Sequence, residues 1–584
     1  MKINSRIELL NLESRNGKEK ISFPPLSDEE IEIINPIVPP TSGIRMKIYE
    51  KQNSTYIMTK RAQYMFLRVF KAVSEISKEE INKKNPGVLL VSDDRPSANY
   101  LMGYFTKILS AEGYQIYYQK PTGSKAESEA KNAPFYSRMS TPYGSASVLL
   151  YDEIDLVIVL TASHNDILWN GVKFYIERPM PISGRIMKKI SKKALELREI
   201  SMDSEFSIKS IDADKKNNDY IMNIVQDILD LSILEGRKII LWSYMGTAPE
   251  IQALFKHLGV NIILIDEQME PPNPTVNINH EKIEKLMKEK DVKIAILLDS
   301  DRDRLVIIHH NKGTGEFKTL LPNTLYPAMH NILINKFNQK IINVRTIPSD
   351  PRSDKYSKLN FITGVGYKHL GMVLYSAMGK KIERDKFQSS ILYVETSHGY
   401  KKIESPEDIQ KIILDSDITG DNILLVMWEE SGGHTINILQ IAQNGKKITI
   451  NPKYPAIGDK YPAEAILIIS TLIEMGYDLS EYVDQKITGS RTMISGDDKR
   501  KMKIVNTFAK MKDQSLTINN RSYKIGTFEE VEGKISIIHL WNENSNIYFR
   551  PSGTGPGVRI YYFGSKTNAE TELSEVKEKI EDMF

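Results

Sequence analysis

There is no cysteine in the 584 residues. Disulfide scaffolds, thiolate zinc sites and cysteine nucleophiles are therefore excluded. Long apolar runs are missing too. The longest candidates, residues 154–162 and 292–298, are strand-sized and far short of the ~20 residues that a bilayer-spanning helix needs. Residues 1–20 are polar and mixed in charge, without the pattern of a secretory leader, so the cytoplasm is the expected location. Excess charge is also small: 78 Lys and Arg against 75 Asp and Glu leave +3. Despite a pI of 8.4, that balance suggests no nucleic-acid, polyanion or membrane partner. What is present is ordinary globular composition, 41% hydrophobic and 26% charged, which excludes disordered and fibrous chains.

Short β-rich runs at 87–91, 155–160, 237–242 and 292–298 alternate with stretches of helical period. Ala62, Met65, Phe66, Val69, Phe70 and Val73 follow one helical stripe; Ile221, Ile224, Val225, Ile228 and Leu229 follow another. Continuous apolar strands separated by helices predict an α/β fold with mostly parallel sheets covered on both faces. At about 150 residues per domain the length allows about four units. The strand–helix pattern recurs in blocks 1–214, 215–322 and 323–480, and residues 481–584 read as a smaller α+β unit. Residues 119–138, rich in Lys, Ser, Ala and Glu, read as a solvated surface insertion.

Four loops stand out, each beside an expected strand, where open α/β sheets collect ligands. In Thr161-Ala-Ser-His-Asn165, Ser163 leaves a strand end beside His164 and within reach of Lys173, which suits a phosphorylated or nucleophilic hydroxyl. In Asp299-Ser-Asp-Arg-Asp303, alternate carboxylates point the same way, so Asp299, Asp301 and Asp303 converge on one hard cation such as Mg²⁺, Mn²⁺ or Ca²⁺. Trp428-Glu-Glu-Ser-Gly-Gly-His434 suits a loop that hydrogen-bonds a polyol. Arg550-Pro-Ser-Gly-Thr-Gly-Pro-Gly557, with Arg559, offers hydroxyls, amides and guanidinium groups to a phosphate.

Taken together, the four loops resemble, in order and spacing, those of the α-D-phosphohexomutase superfamily, the phosphoglucomutases and phosphomannomutases. The resemblance covers essentially the whole chain. Thr41-Ser-Gly-Ile-Arg45 resembles the family's N-terminal segment, and residues 363–370 resemble its third-domain sugar loop. The resemblance implies three similar α/β mixed-sheet domains and a smaller C-terminal α+β domain, each giving one loop to a central cleft. It implies that Ser163 is the phosphoserine and that one Mg²⁺ per chain is held by Asp299, Asp301, Asp303 and Ser163. Glu429, Ser431, Lys368 and His369 are then expected on the sugar. Arg550, Ser552, Gly553, Thr554 and Arg559 are expected on the distal phosphate, with Arg45, Arg304, His164, Lys173 and His434 serving transfer and proton movement and Lys460 as a further proton-transfer candidate.

The expected reaction interconverts glucose 1-phosphate and glucose 6-phosphate, with a glucose 1,6-bisphosphate-type activator. Mannose phosphate is the alternative, and the chain is expected as a monomer or dimer. Asp166 replaces the family's usual proline, and Ser300 and Arg302 stand where Gly and Ala are common. Two rivals are weighed. An aspartyl-phosphate phosphatase would share the Asp-x-Asp signature but leaves the Ser163 and Arg550 loops unexplained. A non-catalytic relative would have lost the serine or a carboxylate, and none is lost.

Overall fold

The apolar runs at 155–160 and 292–298 are strands, Leu156–Leu160 and Ile294–Leu298, with every residue buried. The computed structural model describes residues 5–36, 43–182, 184–442, 447–552 and 557–584. Three α/β sheets follow one plan. In the first, Ile208–Ile211, Gln115–Gln119, Gly87–Ser92 and Leu156–Leu160 lie parallel, and Trp169–Ile176 and Ile44–Lys47 continue the sheet antiparallel. In the second, Asn261–Leu264, Lys238–Ser243 and Ile294–Leu298 are parallel, followed by antiparallel Leu305–Asn311 and Glu316–Leu320. The third has Leu359–Thr363, Lys340–Thr346 and Gly420–Trp428 as its parallel centre. His434–Ile441 and Ile448–Ile450 run antiparallel on one side, Leu392–Thr396 and Gly399–Lys402 on the other. A fourth sheet, from Ile487–Ile494 to Val558–Ser565, is wholly antiparallel and is covered by the helices Asp498–Lys510 and Ala569–Asp582.

This plan places the loops. In each α/β sheet a strand of the parallel set turns back into its antiparallel neighbour, with Leu160 opposite Val172, Leu298 opposite Leu305 and Trp428 opposite His434. In the fourth sheet Pro551 pairs with Val558. The first three motif loops are thus hairpin connections at strand carboxyl ends, and residues 551 and 558 flank the fourth.

The three α/β sheets share one apolar core. Helices Thr141–Leu150, Ala213–Gln226 and Ala463–Glu474 meet there, and Tyr461 has its ring 5.7 Å from both Tyr143 and Tyr220. Helix Lys60–Ile81 buries the expected stripe and is capped by Thr59, whose hydroxyl accepts from Ala62 N. The expected boundary after residue 214 falls in the first turn of helix Ala213–Gln226.

Two readings differ from the structure. Short strands in residues 5–58, outside the β-rich pattern, build two small three-stranded sheets, one completed by Glu199–Asp203. Residues 119–138 are not wholly solvated: Gln119 and Ser137 are buried, and Ser137 Oγ donates to Leu90 O at 2.8 Å. Polar composition hid this because those hydroxyl and amide groups are satisfied by backbone rather than by water. Among the described residues no helix is long and apolar enough to cross a membrane.

Candidate active site

Ser163 is 1% exposed and sits at φ +52°, a left-handed conformation unusual for a residue with a Cβ. Its amide donates to Thr161 Oγ1 at 2.7 Å, and that hydroxyl donates to Asp93 Oδ2 at 2.7 Å. Its carbonyl accepts from Arg95 Nη2 at 2.6 Å. Its Oγ lies 3.3 Å from His164 Nδ1. Burial first, then the charges of Arg304 and Arg45, holds the His164 imidazole well below its usual range, so it is neutral at neutral pH. Asp166, in place of proline, accepts from Leu168 N at 2.9 Å and so supplies its own turn.

Asp299, Asp301 and Asp303 are buried, and a ligand oxygen from each lies within 4.8 Å of the others. Lys173 Nζ stands 2.6 Å from Asp301 Oδ2 and 2.8 Å from Asp303 Oδ2. Burial raises Asp299 well above the carboxylate range, and Asp303 and Asp301 raise it further. Burial raises Asp303 as well, but Lys173, Lys460 and Arg304 outweigh that and hold it well below the range. Asp299 Oδ2 and Asp301 Oδ1 are buried without a hydrogen-bond partner among the described residues. Three gathered carboxylates with two unsatisfied oxygens fit a hard divalent cation bound through oxygen. Arg45, on strand Ile44–Lys47, feels Asp301 and Asp303 and is lowered chiefly by burial.

Glu429 is buried, accepts from the Ser431 hydroxyl, and pairs with Lys460 Nζ at 2.8 Å. Gly432, at φ +111°, passes the metal loop so closely that a Cβ would stand 2.9 Å from Leu305 N. Here glycine is required by both the angle and the approach. On the fourth sheet Arg550 lies opposite Arg559. Arg491 shares their face, two residues from Met493, which pairs with Arg559 on its other side. Like charges placed together across strands repel. Buried Glu430 faces all three: burial and Glu429 raise its carboxyl, and Arg550, Arg491 and Arg559 pull it back down. Ser552 is buried, and Gly553 and Thr554, like Thr41 and Ser42, lie outside the described residues.

Residues 37–200 match the family model "Phosphoglucomutase/phosphomannomutase, alpha/beta/alpha domain I". The open-form structure of the phosphoglucomutase parafusin from Paramecium superposes with a TM-score of 0.62, at 16% identity and covering 97% of both chains. The fold is that of this phosphoglucomutase structure, and residues 37–200 are similar to domain I of the phosphoglucomutase/phosphomannomutase family. A phosphoglucosamine mutase of Alkaliphilus oremlandii is 28% identical over 164 residues, 27% of this chain and 36% of that protein. A phosphoglucomutase of Staphylococcus saprophyticus is 23% identical over 460 residues, 72% of this chain and 76% of that protein. The chain spans between 36% and 49% of the length of the first phosphoglucosamine mutases it matches.

Within this framework one expected residue lies away from the other candidates. His434 is fully buried, its ring 4.7 Å from Tyr326 and 5.8 Å from His330 on helix Pro322–Phe337. Burial holds it neutral. It therefore moves no proton at a sugar. Neighbouring strand residues face opposite sides, so closeness in sequence to Glu429 did not decide its face. His369 is also committed, since its Nδ1 accepts from Ile391 N at 3.3 Å. Lys368, partly exposed, lies within the field of Glu530 and Lys534 of the last unit.

Lys460, a further proton-transfer candidate from the sequence, enters from a distant segment and pairs with Glu429 and Asp303. Two other residues beside the site were not found from sequence. Thr141 Oγ1 donates to Asp301 Oδ2 at 2.7 Å. Arg95, fully buried, donates to the carbonyls of Ser163, Asn165, Asp166 and Trp169 at 2.6–2.8 Å. A signal existed: Ser92-Asp-Asp-Arg95 and Ser349-Asp-Pro-Arg352 repeat one pattern after the strands Gly87–Ser92 and Lys340–Thr346. Both arginines bond back to the aspartate two residues earlier, Arg95 Nε to Asp93 at 3.1 Å and Arg352 Nε to Asp350 at 2.9 Å. Arg352 then donates to the carbonyls of Asp484 and Ile487, where the last sheet begins.

Proposed function

We propose that this protein is a phosphohexomutase that interconverts glucose 1-phosphate and glucose 6-phosphate through phosphorylated Ser163 and a sugar bisphosphate. The observation that carries the reading is the meeting of the strained, buried Ser163 loop with three buried carboxylates and the lysine between two of them. A phosphatase using Asp299 leaves that serine geometry and the arginine face of the fourth sheet without a purpose.

Phosphate monoesters are nearly inert unaided, so transfer depends on positioning and charge. In the first half-reaction the bond from phosphorus to Ser163 Oγ breaks as a bond to the sugar hydroxyl forms, and the hydroxyl proton leaves. Neutral His164 is the group at hand to accept it, at Nδ1. The bisphosphate turns over, and its other phosphoryl group returns to Ser163. Asp299, Asp301 and Asp303, with a phosphoserine oxygen, would hold Mg²⁺, which when bound offsets charge on the transferring group. Lys173 stays charged because Asp301 and Asp303 outweigh its burial, and it adds positive charge beside the carboxylates. Arg550 and Arg559, joined by Arg491, would bind the non-reacting phosphate and supply binding energy remote from the chemistry. Glu429 and Ser431 would bond hydroxyls that glucose and mannose present alike, so mannose phosphate is expected as a secondary substrate.

Phosphoglucosamine mutases among the relatives favour glucosamine phosphate as the second reading. The test is turnover of glucose 1-, mannose 1- and glucosamine 6-phosphates with a hexose bisphosphate activator and Mg²⁺, with and without EDTA. Intact-mass mapping of the phosphate accompanies it. Fastest turnover of glucose 1-phosphate, dependence on a divalent cation and phosphate on Ser163 are expected. A tenfold preference for another sugar would overturn the glucose assignment, and phosphate on Asp299 would overturn the mutase.

A further inference from the structure

We infer that Ser300 is a positioning residue that holds the carrier Ser163 in its left-handed backbone conformation from the metal loop, with Arg302 anchoring it there. The inference rests on the phosphoserine reading above. A strained backbone persists only where its surroundings over-determine it. Around Ser163, the donor Arg95 and the acceptor Thr161 lie on loops that follow strands of one sheet, Gly87–Ser92 and Leu156–Leu160, and His164 is the next residue in the chain. The remaining contact comes from elsewhere: Ser300 Oγ, on the loop that follows strand Ile294–Leu298, donates to the Ser163 carbonyl oxygen. Ser300 is fully buried, and Arg95 Nη2 lies 3.5 Å from the same hydroxyl, so the two donors and the carbonyl form one small network.

The metal loop is tied to the first sheet at two further points. Asp301 O accepts from Thr141 N at 3.0 Å. Arg302, itself at φ +57°, buries its guanidinium with Nη1 3.0 Å from Asp94 and Nε 2.6 Å from Glu250, in the first turn of helix Pro249–His257. A buried guanidinium between two carboxylates is a rigid fixture, because withdrawing it would leave those charges unpaired. Ser300 therefore cannot drift with respect to the first sheet. The hydroxyl that carries phosphate and the carboxylates flanking Ser300 are placed by one set of contacts, and a misplacement of about 1 Å can cost ~100-fold in rate. Ser300 contributes no carboxylate, so removing its hydroxyl should leave cation binding intact while slowing transfer.

The experiment compares Ser300→Ala and Ser300→Gly with wild type in the full chain. It measures single-turnover transfer from phosphorylated Ser163 to glucose 1-phosphate, KM, thermal midpoint and Mn²⁺ affinity by calorimetry. Both variants are expected to transfer at least ~10-fold more slowly, with KM and Mn²⁺ affinity within about threefold of wild type. If one variant does not fold, the other carries the test. Wild-type transfer in the Ala variant overturns the inference. So does a loss of Mn²⁺ affinity that parallels the rate, which would make Ser300 a support for the cation alone. A wild-type chain that never carries phosphate on Ser163 would instead overturn the phosphoserine reading itself, a separate result.

Discussion

Lys460 Nζ lies 2.8 Å from Glu429 Oε1, so one buried ammonium joins the third sheet's loop to the metal loop, where Asp303 Oδ1 is 3.5 Å away. Burial works against the Lys460 charge, but Asp303 and Glu429 more than restore it and raise the ammonium above its ordinary range. Glu429 is held below its own ordinary range against burial, chiefly by Lys460. Replacing Lys460 by Met removes the ion-pair partner of Glu429 and one of the cations beside Asp303, which keeps Lys173. Breaking a buried pair from one side costs about 3–5 kcal/mol. Lys460→Met should lower kcat/KM by ~100-fold or more and lower the urea midpoint. Turnover within threefold of wild type would show that the bridge does not matter.

Ser163 offers a separation of chemistry from strain. Ser163→Ala and Ser163→Gly both remove the proposed phosphate carrier, so neither should complete the proposed mutase cycle. At φ +52°, however, glycine relieves a conformation that alanine keeps. The Gly variant is expected to be more stable than the Ala variant by about 1 kcal/mol. Chemical denaturation of the two proteins checks this, and an Ala variant of equal or greater stability contradicts it.

Arg95→Met should loosen the serine loop, since four carbonyls lose a donor, Ser163 O keeping Ser300 and Asp166 O keeping Trp169 N, and each buried group left unmet costs about 1–3 kcal/mol. Limited proteolysis should find new cleavage within 163–169. Arg352→Met removes the matching arginine at the start of the last sheet, and should open 484–487 while sparing the serine loop. Identical cleavage maps for the two variants would contradict the separate roles.

Acid should destabilise the protein through buried histidines. Burial depresses His330 to about 3 and His539 to about 4, against 6.5 in the unfolded chain. The unfolded state therefore binds more protons as pH falls below 6.5, so their stability contribution is present above that value and is lost toward the folded values. Each should cost up to about 2 kcal/mol between pH 7 and pH 5. His330→Phe should lose less stability over that interval in urea titrations. An unchanged slope would exclude His330 as a source.

The loops that carry the resemblance were legible because they are local. Ser163, the three aspartates and the Glu429 loop each follow an apolar run, and the backbone itself delivers them to a strand end. The division into parallel strands and covering helices was equally plain from continuous burial and helical period. Tertiary structure decided the rest. Lys460, Thr141 and Arg95 act on loops up to 160 residues away, as Thr141 does on Asp301, and no local pattern encodes such a meeting. His434 shows the converse, a residue beside the motif whose strand face turns it into the core. Whether Arg491 joins Arg550 and Arg559 depended on antiparallel register, where a shift of one residue would have sent its side chain to the other face. Local chemistry named the reacting groups; pairing register and the shared core set which charges surround them.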